Sequence, residues 1–251
     1  MDAVNSSSSG SKYTPRPMSN RTSYALGGLA LVVIVVIVVL VVRWNSEHSL
    51  KVRDDGYGPV RDPGVHALLD SDGAIVLGKL DAAKTIDAYE DPLCPGCGSL
   101  EHLFGQEIAH KIDEGKLAVR YRLVNILDAE SGSKDYSTRA IAASECVADY
   151  GDGPVYSRFH TRLFTTDQPE EDGGDLSNDQ LSALAKEAGA PEEVQQCITK
   201  GQRVDSARNH AEAAVTALQS AAGGQAATPT VVDGTKQVDT NTQEWVAEVA
   251  G

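Results

Sequence analysis

Two cysteines with two residues between them, Cys94-Pro95-Gly96-Cys97, stand where an apolar run gives way to a helical pattern, a position that suits thiol and disulfide chemistry. The unpaired N–H groups and the dipole at a helix N-terminus favour a thiolate over a thiol, so Cys94 is the residue placed to react. Pro95 needs no donor at the first helical position, and its fixed φ holds Cys94 at the entry of the turn. Cys97, one turn deeper, is expected to be shielded and to close back onto an exposed, acidic Cys94. The spacing alone also fits half of a zinc site. A tetrahedral site wants a second close pair, whereas Cys146 and Cys197 are distant singletons with no histidine at ligand spacing, so neither a metal nor a cofactor is expected.

The elements that must position this pair follow from periodicity. Lys84 to Tyr89 has β-branched and aromatic residues at strand density, while Leu100, Leu103, Phe104, Ile108 and Ile112 recur on one helical face, ending near Glu114-Gly115. Ala74 to Leu77, after the turn Ser71-Asp72-Gly73, predicts an earlier strand, and Leu117 to Val124 a later one that completes a βαβ unit with parallel strands. From Asp128 to Ala222 the pattern predicts helices over Tyr136–Asp149, Val155–Phe164, Asn178–Ala188, Pro191–Thr199 and Gln202–Ala222, with Thr166–Asp175 as an acidic, mobile surface loop. Thr230–Val232 and Thr235–Val238 around Asp233-Gly234 predict a hairpin. A closing helix, Asn241–Val249, follows with Thr240 and Gln243 as a capping box.

Composition bounds the rest. A chain of 251 residues with 41% apolar content holds one substantial domain plus an appendage, and a net charge of −14 argues against a nucleic-acid partner. Residues 1–23 are Ser, Asn and Pro rich and read as a flexible cytoplasmic tail. Ala25 to Val42 carries no charge and is flanked by Tyr24 and Trp44, so 24–44 is expected to be an uncleaved single membrane helix. Basic residues stand on both sides of it, so orientation is taken from chemistry: the cysteines belong outside, where disulfides persist. Residues 45–69, charged and punctuated by Gly and Pro, read as a tether or loosely packed lead-in.

With Cys94-Pro95-Gly96-Cys97 at a helix entry and Ala227-Thr228-Pro229-Thr230 leading into a later strand, residues 70 to 250 resemble the DsbA-like branch of the thioredoxin superfamily. The resemblance implies an α/β thioredoxin fold, halves 70–127 and 223–251, with an inserted helical domain at 128–222 and a transmembrane helix before it. It implies a cis Pro229 facing the redox pair and a Thr228 backbone offered to the substrate peptide. It further implies an extracytoplasmic oxidase acting on exported client proteins with free thiols, reoxidised by a membrane partner of the DsbB or vitamin K epoxide reductase type. The dipeptide Pro95-Gly96 departs from the best-known members, which leaves a reductase or isomerase as an alternative. A third reading is a tethered binding module in which the pair is a static disulfide. The acid that many members bury six residues before the first cysteine is Ala88 here; of the nearest acids, Glu90 and Asp91, either could assist proton transfer, though both read first as turn residues that raise the local negative charge.

Cys146 and Cys197 fall on the apolar sides of two predicted helices. They read either as a structural disulfide, which some membrane-anchored DsbA-like proteins resemble in carrying, or as two buried free thiols. His102, His110 and His160 show no mutual spacing and read as surface or half-buried residues.

Overall fold

A computed structural model of the chain describes residues 33–40, 49–171, 173–224 and 226–251. The chain divides into two units, Met1–Ser49 and Leu50–Gly251. In the first, residues 33–40 are helical and their Val, Ile and Leu side chains are exposed. The remainder of the expected span, 24–32 and 41–44, and the tail before it lie outside the described residues. No described helix is long and apolar enough to cross a membrane.

The second unit is built on a six-stranded sheet of β1 (His66–Leu69), β2 (Ile75–Gly78), β3 (Lys84–Glu90), β4 (Leu117–Leu123), β5 (Thr230–Asp233) and β6 (Lys236–Gln237), in the order β1-β2-β4-β3-β5-β6. Only β3 and β4 run parallel, with Ala88 beside Tyr121, and α1 (Pro95–Asp113) makes the crossover between them. This is the βαβ unit that the apolar runs predict. The strand β1 was not foreseen; it is four residues long and its Leu68 is exposed, so alternation gives little signal.

Among the described residues, a 3-10 turn (Asp128–Glu130) and five α-helices separate β4 from β5: α2 (Tyr136–Ala148), α3 (Gly153–Phe164), α4 (Asn178–Ala188), α5 (Glu192–Thr199) and α6 (Val204–Ala221). Each α-helix lies within a few residues of its expected span. Short helix α7 (Trp245–Ala250) closes the chain, and Trp245 packs edge-on against Phe104 of α1 at 5.5 Å between ring centroids. Leu100, Phe104, Ile108 and Ile112 are buried beneath the sheet-facing side of α1, while Leu103 is only partly covered.

Two expectations are corrected here. The capping box at Thr240 and Gln243 does not form, and α7 begins only at Trp245. Gln243 is engaged elsewhere: its Oε1 accepts from the Lys51 N–H at 2.7 Å and its Nε2 donates to the Lys51 carbonyl at 2.8 Å. A capping box does form at Ser177 and Gln180, at the start of α4.

The second correction concerns the lead-in. Residues 50–64 are fastened along α1 rather than loose. The Arg53 N–H donates to the Leu103 carbonyl at 2.7 Å, and its guanidinium pairs with Glu107 and Glu244. Farther along, Asp113 accepts from Tyr57 Oη and from the N–H groups of Arg61 and Asp62. Val60 is buried, and its N–H donates to Ser157 Oγ at 3.0 Å. Backbone donors in this strap find side-chain acceptors on α1 and α3, which is why a segment without periodic pattern is ordered.

Candidate redox site

Strand β3 delivers the chain to the site and β5 supplies its opposite wall. Because β5 pairs antiparallel with β3, with Tyr89 beside Thr230, the segment entering β5 stands next to the segment leaving β3. The peptide bond between Thr228 and Pro229 is cis. Cys94 is the N-cap residue of α1, at φ −72° and ψ 118°, with Pro95 directly after it and no side chain capping the helix. Its Sγ lies 3.4 Å from the Thr228 carbonyl oxygen, within reach of a hydrogen bond when the thiol is protonated.

Both thiols are free, and both are buried: Cys97 is 0% exposed and Cys94 8%. The expected exposed Cys94 is therefore mostly covered, since Gly96 lets Thr228 and Pro229 close over it. A Cβ on residue 96 would stand 3.0 Å from Pro229 Cδ and 3.6 Å from Cys94 Sγ. Glycine in the dipeptide thus lets the proline loop approach the sulfur.

The two thiols are driven in opposite directions. The Cys97 thiol, hydrogen-bonded to Cys94, is the largest influence that lowers the Cys94 thiol to about 5, against the cost of burial. The Thr228 side chain and the N–H groups of Cys97 and Gly96 act in the same direction. Burial, then Cys94 itself and the Glu90 charge, push the Cys97 thiol well above its ordinary value. The surroundings thus favour the thiolate at Cys94 and the thiol at Cys97.

Glu90 and Asp91 are not exposed turn residues, which corrects the sequence reading; both are fully buried. Asp91 accepts from Ser137 Oγ at 2.5 Å and from the N–H groups of Leu93 and Leu127 at 2.9 Å, stapling the turn before Cys94 to α2 and to the loop after β4. Burial raises its carboxyl to about 6 despite these donors. Burial and the neighbouring Glu101 raise Glu90 to about 7, with His160 opposing. His160 is also corrected: it is 2% exposed, in line with Tyr156 and Phe164 on α3. That i, i±4 stripe was available in the sequence as a sign of burial.

Gln168 belongs to the expected surface loop but serves the site. Its Nε2 donates to the carbonyls of Pro92 and Cys94 at 3.2 and 2.9 Å, clamping the turn that carries the reactive sulfur. No local pattern marks it. The absence of a side chain at Gly98 admits it, because a Cβ there would collide with the Gln168 side-chain oxygen and come 2.8 Å from the Phe164 carbonyl oxygen. Gly98→Ala is expected to lower stability by about 1–3 kcal/mol through this overpacking. A urea titration should show the lower midpoint with an unchanged slope.

Cys146 on α2 and Cys197 on α5 are joined by a disulfide, 51 residues apart in sequence and 6.1 Å apart at Cα. It lies among the helices between β4 and β5, separate from the Cys94 and Cys97 pair.

A thioredoxin family model matches residues 70–249, a span that takes in the sheet from β2 onward, α1 and both redox cysteines. The chain belongs to the thioredoxin family. Among curated relatives of this thioredoxin-family chain is the serine/threonine-protein kinase PknE of Mycobacterium tuberculosis, 39% identical over 184 residues. The match takes 72% of this chain but 32% of the kinase, so the chain spans about a third of the length of the curated relatives it matches. Among solved structures, the thiol-disulfide oxidoreductase MdbA of Corynebacterium diphtheriae superposes with a TM-score of 0.66 at 30% identity, covering 76% of this chain and 95% of that one. Reduced DsbA of Mycobacterium tuberculosis gives a TM-score of 0.59 at 32% identity, covering 71% and 93% respectively. The thioredoxin-like fold of this chain is thus shared with DsbA and MdbA enzymes.

Proposed function

We propose that this chain is a thiol–disulfide oxidoreductase that works as a DsbA-like oxidase, passing a disulfide from Cys94 and Cys97 to exported client proteins. The observation that carries the reading is the placement of a free Cys94 at the N-cap of α1, 3.4 Å from the Thr228 carbonyl with a free, buried Cys97 one turn deeper, an arrangement that lowers the Cys94 thiol and raises that of Cys97. A client thiolate attacks Cys94 Sγ of the oxidised pair; the Cys94–Cys97 bond breaks, and the Cys97 sulfur takes up a proton. A second client thiolate then attacks the client sulfur of the mixed disulfide, and Cys94 departs as a stabilised thiolate with the electron pair. The Thr228 carbonyl, already within reach of Cys94 Sγ, lies where the incoming client backbone passes, and Pro229 walls that approach.

Magnitude favours oxidation over reduction. A thiol that ionises near 5 stabilises the reduced enzyme at pH 7 by about 3 kcal/mol relative to an ordinary thiol, or roughly 60 mV toward a more oxidising potential. Reoxidation then needs a disulfide donor, for which we propose a membrane partner of the DsbB or vitamin K epoxide reductase type. The uncharged stretch Ala25 to Val42, helical at 33–40, supports a single-pass anchor, and the extracytoplasmic side is proposed for the thioredoxin unit because disulfides persist there.

The potential is tested by equilibrating the chain in glutathione buffers and trapping free thiols. The expected result is a potential well above that of structural disulfides, with Cys94 trapped first; a very negative potential would indicate a reductase or a static bond. The pH dependence adds a sharper expectation. Stabilisation from an acidified thiol is complete above its ordinary value near 9 and is lost as pH falls through about 5. Reduction therefore takes up one proton between these limits and two below the lower one. The potential should change by about 30 mV per pH unit above pH 5 and about 60 mV below it. A single slope through pH 5 would remove the acidic Cys94 from the mechanism.

A further inference from the structure

Beneath the redox pair three ionisable side chains converge out of reach of solvent. Glu90 ends β3, Glu101 lies two turns into α1, and His160 comes from the middle of α3; each is at least nine-tenths buried. His160 Nε2 stands 3.4 Å from Glu90 Oε2 and 3.5 Å from Glu101 Oε1. Among the described residues, neither Glu90 oxygen and neither His160 ring nitrogen has a hydrogen-bond partner of good geometry. Buried polar atoms left in this condition are destabilising, so four of them in one place call for an explanation.

The spacing supplies one. Separations of 3.4 and 3.5 Å are long for a charge-assisted hydrogen bond. They do match the edge of a coordination tetrahedron, because bonds of about 2.1 Å from a central cation place neighbouring ligand atoms roughly 3.4 Å apart. One donor atom from each residue lies within 4.8 Å of the other two. In the metal-free chain, against the effect of burial, the two carboxylates raise His160 to about 9; binding a divalent cation would release that proton, and the two carboxylates with a neutral imidazole would then balance its charge.

We propose that Glu90, Glu101 and His160 form a binding site for a first-row divalent cation, with zinc the ion that the donor set fits best. One nitrogen and two oxygens are too few and too mixed for calcium, which takes six to eight oxygens. Three protein ligands leave a fourth position open. An entry path exists on the Glu101 side, because that residue also lines a surface cleft of about 310 Å³ with Gly58, His102, Gly105 and Gln106. Gly105 keeps the path clear: a Cβ there would stand 2.7 Å from Glu101 Oε2. Tyr121 and Phe164 pack against the His160 ring at 4.1 and 4.5 Å, fixing its orientation. This site is separate from the CxxC pair, whose sulfurs it does not use.

The test uses the full chain with Cys94 and Cys97 oxidised to a disulfide, so that no free thiolate competes. After chelator treatment the protein is mixed with zinc sulfate, freed of excess by gel filtration, and its zinc counted by atomic emission. The expected result is one zinc per chain, with a dissociation constant at least tenfold weaker in Glu101→Gln and in His160→Gln. Absence of retained zinc in the wild type, or retention in both variants equal to that of the wild type, would overturn the site and leave a protonated His160 shared by two carboxylates. Should a variant fail to fold, cobalt substitution of the wild type decides: the intense visible absorption of four-coordinate cobalt supports the site, and the weak spectrum of the hexaaquo ion overturns it. Because both thiols are locked during the measurement, the outcome is independent of whether the exchange reading holds.

Discussion

Cys94→Ser should lower disulfide transfer to a reduced client peptide by about a thousandfold or more, because an alcohol oxygen cannot take part in thiol–disulfide exchange. Cys97→Ser should fail differently. Cys94 would lose the Cys97 thiol that most lowers it but keep the serine hydroxyl as a donor and the helix N-terminus, so it would still attack an oxidised client or glutathione disulfide, while no neighbouring sulfur would release it. Mixed disulfides through Cys94 should therefore accumulate and be visible as added mass under non-reducing conditions. The contrast between the two variants is the informative result. If both lost activity without accumulating adducts, Cys94 would not be the attacking sulfur, and the assignment of roles would fail.

Of the substitutions named, removing the second disulfide should have the largest effect on stability. The bond between Cys146 and Cys197 closes a loop of 51 residues that contains α3 and α4 and links α2 to α5. Loop-closure entropy puts its contribution at about 4 kcal/mol. Cys146→Ala with Cys197→Ala is thus expected to lower the melting temperature by roughly 10 °C, with redox behaviour of Cys94 retained in the folded protein. Calorimetry on the paired variant measures the first, and alkylation of Cys94 the second. A shift of only a degree or two would mean that the helices between β4 and β5 are held by packing alone.

The parts of this molecule that repeat were legible in advance. Leu100, Phe104, Ile108 and Ile112 fixed the buried face of α1, and the apolar runs at Lys84 and Leu117 gave the parallel pair that frames it. Cys94 and Pro95 marked the helix entry by residue type alone. What escaped was set by contacts between distant segments. Glu90 and Asp91 looked like turn residues because charge next to proline usually means solvent, yet donors from Ser137, Leu93 and Leu127 hold Asp91 inside. Gln168 lies in an irregular acidic loop and acquires its role only when α3 packs beside α1. The strap at residues 50–64 shows no period because its partners are the side chains of another element.

That strap determines how the unit answers a pull from its N-terminal side. Tension entering at Leu50 would be met link by link, first at Lys51 with Gln243, then at Arg53 with Leu103 and Glu107, and last at the Asp113 clamp. Those fasteners rupture in sequence and not together, so the force needed stays low while the length of chain paid out grows. The final anchor sits at the opposite end of α1 from Cys94, about 27 Å away along the helix axis. Load entering at Leu50 would thus reach its last fastener at the end of α1 remote from Cys94.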